Sequence, residues 1–259
     1  MIYVCIPSHN EAETIGLVLW KIRKAFEELG REYHLLVGDD GSTDHTAEVL
    51  RIYSDVVPMT VEQHSSRKGY ARTAESLLRQ AVELSDRPKR DGAILMHADF
   101  SHPPESIGDL VRRLESGADV VAAEPEIAPG WERRYRWARK WAGFLMRRNL
   151  KLPGVNDPTS GFAAFRLATL RGVFQRPTPV LESEGWAANA ELIGRASAHA
   201  RRIDTARFTE RHDLKSRASR VAPWAAIHAT WKSRAVVRRA VASEVPPARG
   251  RRRRAKEGV

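Results

Sequence analysis

The sequence predicts an α/β fold: a mainly parallel sheet flanked by helices, followed by a basic C-terminal helix and tail. Three observations predict it. Short apolar runs alternate with segments of helical spacing through the first half of the chain. Acidic or glycine-bearing turns follow several of those runs. The 259-residue chain is 42% hydrophobic and 29% charged, a balance that supports a buried core and excludes a disordered chain.

Ile2–Ile6 reads as a buried strand, and Ile15, Val18, Leu19, Ile22, Phe26 and Leu29 then follow helical spacing. His34–Gly38 is a second strand, followed by a helix near Asp44–Tyr53 with Asp44 as its N-cap. Val56–Val61 is a weaker strand and Gly69–Leu84 a helix. Gly92–Met96 is a strand, Pro104–Ser116 a helix with proline in its first turn, and Ala118–Ala123 a further strand. Repeated βα units of this kind imply a parallel sheet covered on both faces. Beyond Pro125 the pattern changes. Trp131–Leu150 is a helix rich in Trp and Arg, and Pro153–Gly161 is a loop. Gly185–His199 is helical, Arg202–Phe208 a strand, and a last helix runs from about Pro223 to Ala242. The expected organisation is a main domain over 1–215, a basic helical extension over 216–245, and a disordered Arg-rich tail over 246–259.

The net charge of +11 is unevenly placed. Residues 211–259 hold 14 Lys/Arg and 3 Asp/Glu, whereas residues 1–210 hold 29 of each sign. A neutral body with a basic end favours an anionic surface, and the absence of a nucleic-acid module argues against DNA or RNA as partner. Cys5, the one cysteine, lies in the first apolar run and reads as a small buried hydrophobe. The sequence lacks a basic leader with a cleavage site and any apolar run of membrane-spanning length. The expected location is therefore cytoplasmic, peripheral on the cytoplasmic face of a membrane, and the missing span leaves room for an integral membrane partner.

Chemistry concentrates in three turns: Ile6-Pro7-Ser8-His9-Asn10-Glu11, Gly38-Asp39-Asp40-Gly41-Ser42-Thr43-Asp44 and Met96-His97-Ala98-Asp99-Phe100-Ser101-His102-Pro103. Each lies where a strand ends, and ligands of open α/β sheets bind at the carboxyl ends of strands. Carboxylates gathered there suit a divalent cation carrying a nucleoside diphosphate. Arg67-Lys68-Gly69 precedes a helix, where main-chain N–H groups can meet phosphate. Each motif taken singly also has a structural reading. Asp39–Asp44 suits a turn with a helix cap, Asn10-Glu11 a polar helix start, and His97-Ala98-Asp99 a local hydrogen-bonded bend.

Together these motifs resemble glycosyltransferase family 2, of GT-A (Rossmann-like) fold, and within it the polyprenyl-phosphate mannosyl- or glucosyltransferases. The resemblance covers about residues 1–215. It also rests on Pro104-Glu105, on Asp157-Pro158-Thr159-Ser160-Gly161-Phe162, and on Phe208-Thr209-Glu210-Arg211 with Lys215-Ser216. It implies an inverting transfer of a hexose, mannose from GDP-mannose, onto a polyprenyl or dolichyl phosphate. Pro7, Asn10, Glu11, Asp39, Asp40, Lys68, Gly69 and Ala98 would then line the nucleotide-sugar site, with Asp99 and His97 binding Mn2+ or Mg2+. Arg139, Ser160, Gly161 and Lys215 would serve the acceptor phosphate. Asp99, Asp157 and Arg211 would be catalytic, Asp157 as the base if the acceptor were a hydroxyl. A transferase using a UDP-sugar and a hydroxyl acceptor, or an inactive binding domain of the same fold, are the alternatives.

One departure stands out. The family pattern has Asp-x-Asp where this chain has His97-Ala98-Asp99. A neutral nitrogen in place of an anionic oxygen tilts the site toward Mn2+. On the helix 131–150, Trp137, Trp141, Phe144 and Leu145 fall on one face, with seven Arg and Lys crowding the remainder. That pattern suits either a membrane interface or a core stripe beneath a solvated basic face.

Overall fold

In the computed structural model, residues 1–127, 133–210 and 223–244 are described. Seven strands form one sheet: β1 (Ile2–Ser8), β2 (Tyr33–Asp39), β3 (Met59–Gln63), β4 (Gly92–Leu95), β5 (Val120–Ile127), β6 (Ala163–Arg166) and β7 (Ile203–Glu210). Their order is β3-β2-β1-β4-β6-β5-β7. β1 pairs in parallel with β2 and β4, β2 with β3, and β5 with β7. β6 runs antiparallel between β4 and β5. The mainly parallel sheet expected from the alternating pattern is present.

The reversed strand fixes where the site lies. Leu95, at the carboxyl end of β4, is paired with Ala163, at the amino end of β6. The loop that precedes β6 therefore arrives at the same sheet edge as the turns that follow β1, β2 and β4.

Helices cover both faces. α1 (Ile15–Leu29) buries Ile15, Val18, Leu19, Ile22 and Phe26 and ends at Gly30, which adopts a left-handed conformation and donates to Phe26 O. α2 (Thr46–Ser54) starts two residues later than expected. Asp44 is not its N-cap residue, although its carboxylate accepts the Thr46 N–H at 3.0 Å and that of Ala12 at 3.2 Å. A 3-10 turn at Pro104–Ser106 leads into α4 (Ile107–Glu115). α1 and α4 pack on one face of the sheet, and α3 (Tyr70–Leu84), α6 (Leu167–Val173) and α7 (Gly185–His199) on the other. β6 and α6 were not expected from the sequence. A four-residue strand, three apolar residues and Arg166, gives no alternation, and a seven-residue helix gives barely two turns of periodicity.

α5 (Arg133–Leu150) and α8 (Pro223–Ala242) pack with α7 around Met146, Ala187, Ala190 and Val237. A buried charge network pins the end of α8. Arg195 lies 3.0 Å from Glu191 and 2.6 Å from Glu244, and His199 Nε2 lies 3.1 Å from Glu244. All three members of the central triad are buried. Removing one partner of such a set strands the others without water. Arg195→Ala should therefore destabilise the fold by about 3–5 kcal/mol in urea unfolding, and a loss below 1 kcal/mol would contradict this account of how α8 is held.

Candidate active site

The first two turns are stitched together before any ligand arrives. Asn10 takes a left-handed φ of 54°. Its N–H donates to Ser42 Oγ at 2.9 Å, and its Oδ1 accepts the Thr43 N–H at 2.7 Å. Glu11 N–H donates to Thr46 Oγ1 at 2.8 Å, and Thr14 Oγ1 donates to the Glu11 carboxylate at 3.0 Å. Pro7, half-buried, pairs with Gly38 in the register of β1 and β2. Asp39 is buried and accepts the Ser42 N–H at 3.1 Å.

Asp40 does something the sequence did not reveal. It is 4% exposed, and its oxygens accept the N–H groups of Lys68 at 2.7 Å and Gly69 at 2.9 Å. His64 Nδ1 lies 3.0 Å from the same carboxylate, and His64 Nε2 lies 2.8 Å from Glu62. Burial pushes the Asp40 carboxyl up. The His64 contact and the two main-chain N–H groups outweigh it and leave the carboxyl below its ordinary value. Asp40 thus clamps the 64–69 loop, and the Lys68 and Gly69 amides face its carboxylate. Gly41 permits the close approach. Its φ is +65°, and a Cβ there would lie 2.7 Å from Arg67 N.

In the third turn, Ser101 N–H and Oγ both donate to Asp99 Oδ1, at 3.0 and 2.6 Å. With its proton committed to Asp99, the Ser101 hydroxyl accepts from His97 Nδ1 at 3.3 Å. Nε2 is turned toward Gly161, where a Cβ would lie 2.9 Å from it. His97 and Asp99 therefore converge on one hydroxyl, with Ala98 buried between them. Among the described residues, no three His, Cys, Asp or Glu side chains gather to hold a metal ion.

The loop before β6 closes the site. Ser160 Oγ donates to Ala123 O at 2.6 Å, and Asn189 Nδ2 donates to Thr159 O at 3.1 Å. Tyr70 OH donates to Asn189 Oδ1 at 2.7 Å, tying this loop to the start of α3. Gly161 has φ +78°, and a Cβ would meet Asn189 Nδ2 at 2.6 Å. Asp157 accepts from Thr159 N–H at 2.8 Å and pairs with Arg139 at 3.0 Å.

Arg139 also departs from expectation. It is 2% exposed, bonded to Thr159 Oγ1, and 3.7 Å from Glu210. Its guanidinium lies over Trp186, 5.4 Å from the ring centroid. Burial opposes its charge, but Asp157 and Glu210 outweigh burial and hold its pKa above the ordinary value. Its charge is already met by two protein carboxylates, Asp157 and Glu210. Arg139 sits at the floor of a groove of about 830 Å³ whose walls include Arg133, Arg136, Lys140, Arg147, Trp137 and Phe144. None of those four cations has an ion-pair partner among the described residues. Arg211 and Lys215 lie outside the described residues.

The aromatic face of α5 is exposed rather than core. Trp137, Trp141, Phe144 and, from α8, Trp224 and Trp231 are all exposed. Trp137 contacts Trp141 and Trp224 with ring centroids 5.4 and 5.1 Å apart. No helix among the described residues is long and apolar enough to cross a membrane. His64, Tyr70, His102, Trp186 and Asn189 were given no role from the sequence. Most of their contacts come from distant parts of the chain; Tyr70 adjoins the Arg67-Lys68-Gly69 motif, and His102 lies within the third turn.

Comparison with known proteins places this arrangement. The chain is 30% identical over 179 residues to a dolichol-phosphate mannosyltransferase of Pyrococcus furiosus, an alignment covering 67% of this chain and 48% of that protein. It thus spans about half the length of that curated relative. It is 28% identical to a polyprenol monophosphomannose synthase of Mycolicibacterium smegmatis over 74% of this chain and 71% of that one. In fold it resembles glucosyl-3-phosphoglycerate synthase from Mycobacterium tuberculosis, solved with Mn2+, UDP-glucose and phosphoglyceric acid. The TM-score there is 0.63 at 21% identity, covering 96% of this chain and 81% of that chain. The Glycosyl transferase family 2 profile matches residues 3–174, and the chain belongs to that family.

Proposed function

We propose that this chain is an inverting hexosyltransferase that moves mannose from GDP-mannose onto a polyprenyl phosphate. The observation that carries the reading is the meeting of two half-sites at one sheet edge. The turns after β1, β2 and β4 form one half, and the Asp157–Phe162 loop with its basic, aromatic groove forms the other. Nucleotide-sugar donors need the first and an amphiphilic phosphate needs the second. The names of the Pyrococcus and Mycolicibacterium relatives supply the sugar and the lipid class. The proposed catalytic domain is 1–215, with 216–245 as basic extension and 246–259 as tail.

His97 and Asp99 are the residues that would hold a divalent cation, and the imidazole would favour Mn2+ over Mg2+. When bound, such a cation would neutralise the charge that develops on a diphosphate leaving group. The remaining steps belong to the chain. The Asp40 clamp holds the Lys68-Gly69 loop against the β2 turn and so shapes the donor cleft. A lipid phosphate, with a second pKa of about 6, is nucleophilic at neutral pH and needs no protein base. Asp157, held by Arg139 and Thr159, orders the acceptor loop instead. Arg133, Arg136, Lys140 and Arg147 offset the repulsion between the two anionic substrates. The exposed Trp face on α5 and α8 rests on an anionic membrane surface, the basic charge of the tail adds to that attraction, and an integral membrane partner would complete the anchor.

Transfer from GDP-mannose to a short polyprenyl phosphate should require Mn2+ or Mg2+, and Asp99→Asn should lower it by about 100-fold or more, the scale of weakened metal sites. Full transfer in the presence of a chelator would overturn the metal assignment. Transfer from UDP-glucose to a hydroxyl acceptor, with none from GDP-mannose to the lipid, would favour the other branch of the family.

Asp40→Asn leaves the Gly69 N–H facing an amide, a cost of about 1–3 kcal/mol, and should weaken GDP binding in calorimetry. The sign with pH follows from the depressed carboxyl. The clamp is fully present above the ordinary value of about 3.9 and is lost as pH falls through the lower folded-state value. Nucleotide affinity that is unchanged in the variant would remove Asp40 from the donor cleft.

Flotation with anionic vesicles should drop when Trp137 and Trp224 are replaced by Ala or residues 246–259 are deleted, while GDP binding persists. Undiminished flotation in both variants would rule out this face as the membrane contact.

A further inference from the structure

His102 is 1% exposed and lies between the two half-sites. Its Nδ1 accepts the main-chain N–H of His97 at 3.0 Å, on the turn that carries Asp99. Because Nδ1 is an acceptor, Nε2 is the protonated nitrogen, and it donates to Ser160 O at 3.0 Å, on the loop before β6. One side chain thus bonds the main chains of both loops, and each bond uses a different nitrogen. The ring contacts repeat the pattern. His102 stacks on His97 at 4.2 Å and on Phe162 at 5.0 Å, and meets Phe208 edge-on at 5.5 Å. The turn it braces needs bracing. Phe100, between Asp99 and Ser101, takes φ +62°, a left-handed conformation that is strained for a residue with a Cβ.

We propose that His102 is a positioning residue that sets the distance between the cation-bearing turn and the acceptor loop, and so aligns donor with acceptor. The inference rests on the transferase reading for its kinetic consequence, but its structural part stands without it. A residue that only filled the core would need neither fixed nitrogen. The role asks for both, and the two amide residues divide it. Asn is short and places an acceptor near the position of Nδ1, so His102→Asn keeps the His97 link and loses the Ser160 link. Gln is longer and places a donor near the position of Nε2, so His102→Gln does the reverse.

The test is hydrogen exchange by mass spectrometry on the full chain, with GDP and Mn2+ titrations and transfer kinetics beside it. In His102→Asn, exchange should rise over 157–162 and not over 97–101. Its KM for polyprenyl phosphate should rise about tenfold, the scale of one lost hydrogen bond, while GDP–Mn2+ affinity stays near that of the unaltered protein. In His102→Gln, exchange should rise over 97–101, and GDP–Mn2+ affinity should fall by a similar factor with little change in acceptor KM. His102→Phe keeps the ring stack and should show both losses. Equal exchange in both loops for the Asn and Gln variants, with a matched drop in Tm, would reduce His102 to a packing residue. Exchange unchanged in every variant would also overturn the proposal. An unaltered protein that transfers nothing to polyprenyl phosphate would sink the functional reading instead, and the exchange pattern would still decide the role of His102.

Discussion

Loops at the carboxyl edge of a parallel sheet have no ladder to satisfy their main-chain N–H groups, and this site is built around that deficit. Nearly every segment that forms it is fixed by a carboxylate. Asp39 takes the Ser42 N–H, Asp40 those of Lys68 and Gly69, Asp99 that of Ser101 and Asp157 that of Thr159. Behind them, Glu75 takes the N–H groups of Val180 and Leu181, and Glu191 those of Glu182 and Ser183. A charged acceptor makes a stronger bond than a neutral one, and a buried N–H left unpaired is costly. The acidic turns that draw attention in the sequence are therefore structural first. The ligand chemistry is what remains at their outer edge.

The same logic explains the balance of charge. A body with 29 residues of each sign can bury carboxylates because cations meet them inside, as Arg139 meets Asp157 and Glu210, and Arg195 meets Glu191 and Glu244. The cations of the groove are not consumed in this way. α5 thus presents two kinds of arginine a few residues apart: one locked under Trp186, the others left facing the groove.

Much of the fold was legible because its signals are local. Buried strands such as Ile2–Ser8 and periodic helices such as Ile15–Leu29 carry their own evidence, and proline and glycine mark the turns. β6 and α6 were not legible, since a four-residue strand and a seven-residue helix are too short to show a period. Within the site, the order of the motifs pointed to the right sheet edge. What the site's side chains do there was hidden, because the partners of the Asp40 carboxylate lie 24 to 29 residues away and one of the two partners of His102 lies 58 residues away. Only the reversed strand brings Ser160 within reach of His102.

The exposed indoles of α5 and α8 have a practical side. Trp137, Trp141 and Trp224 touch one another at the surface, and an apolar patch of that kind left in plain buffer invites self-association. In plain buffer the protein would associate with itself through these rings. Mild detergent, by covering the rings, would keep the chain dispersed, and a sample that drifts to larger species without it would reflect this patch rather than misfolding.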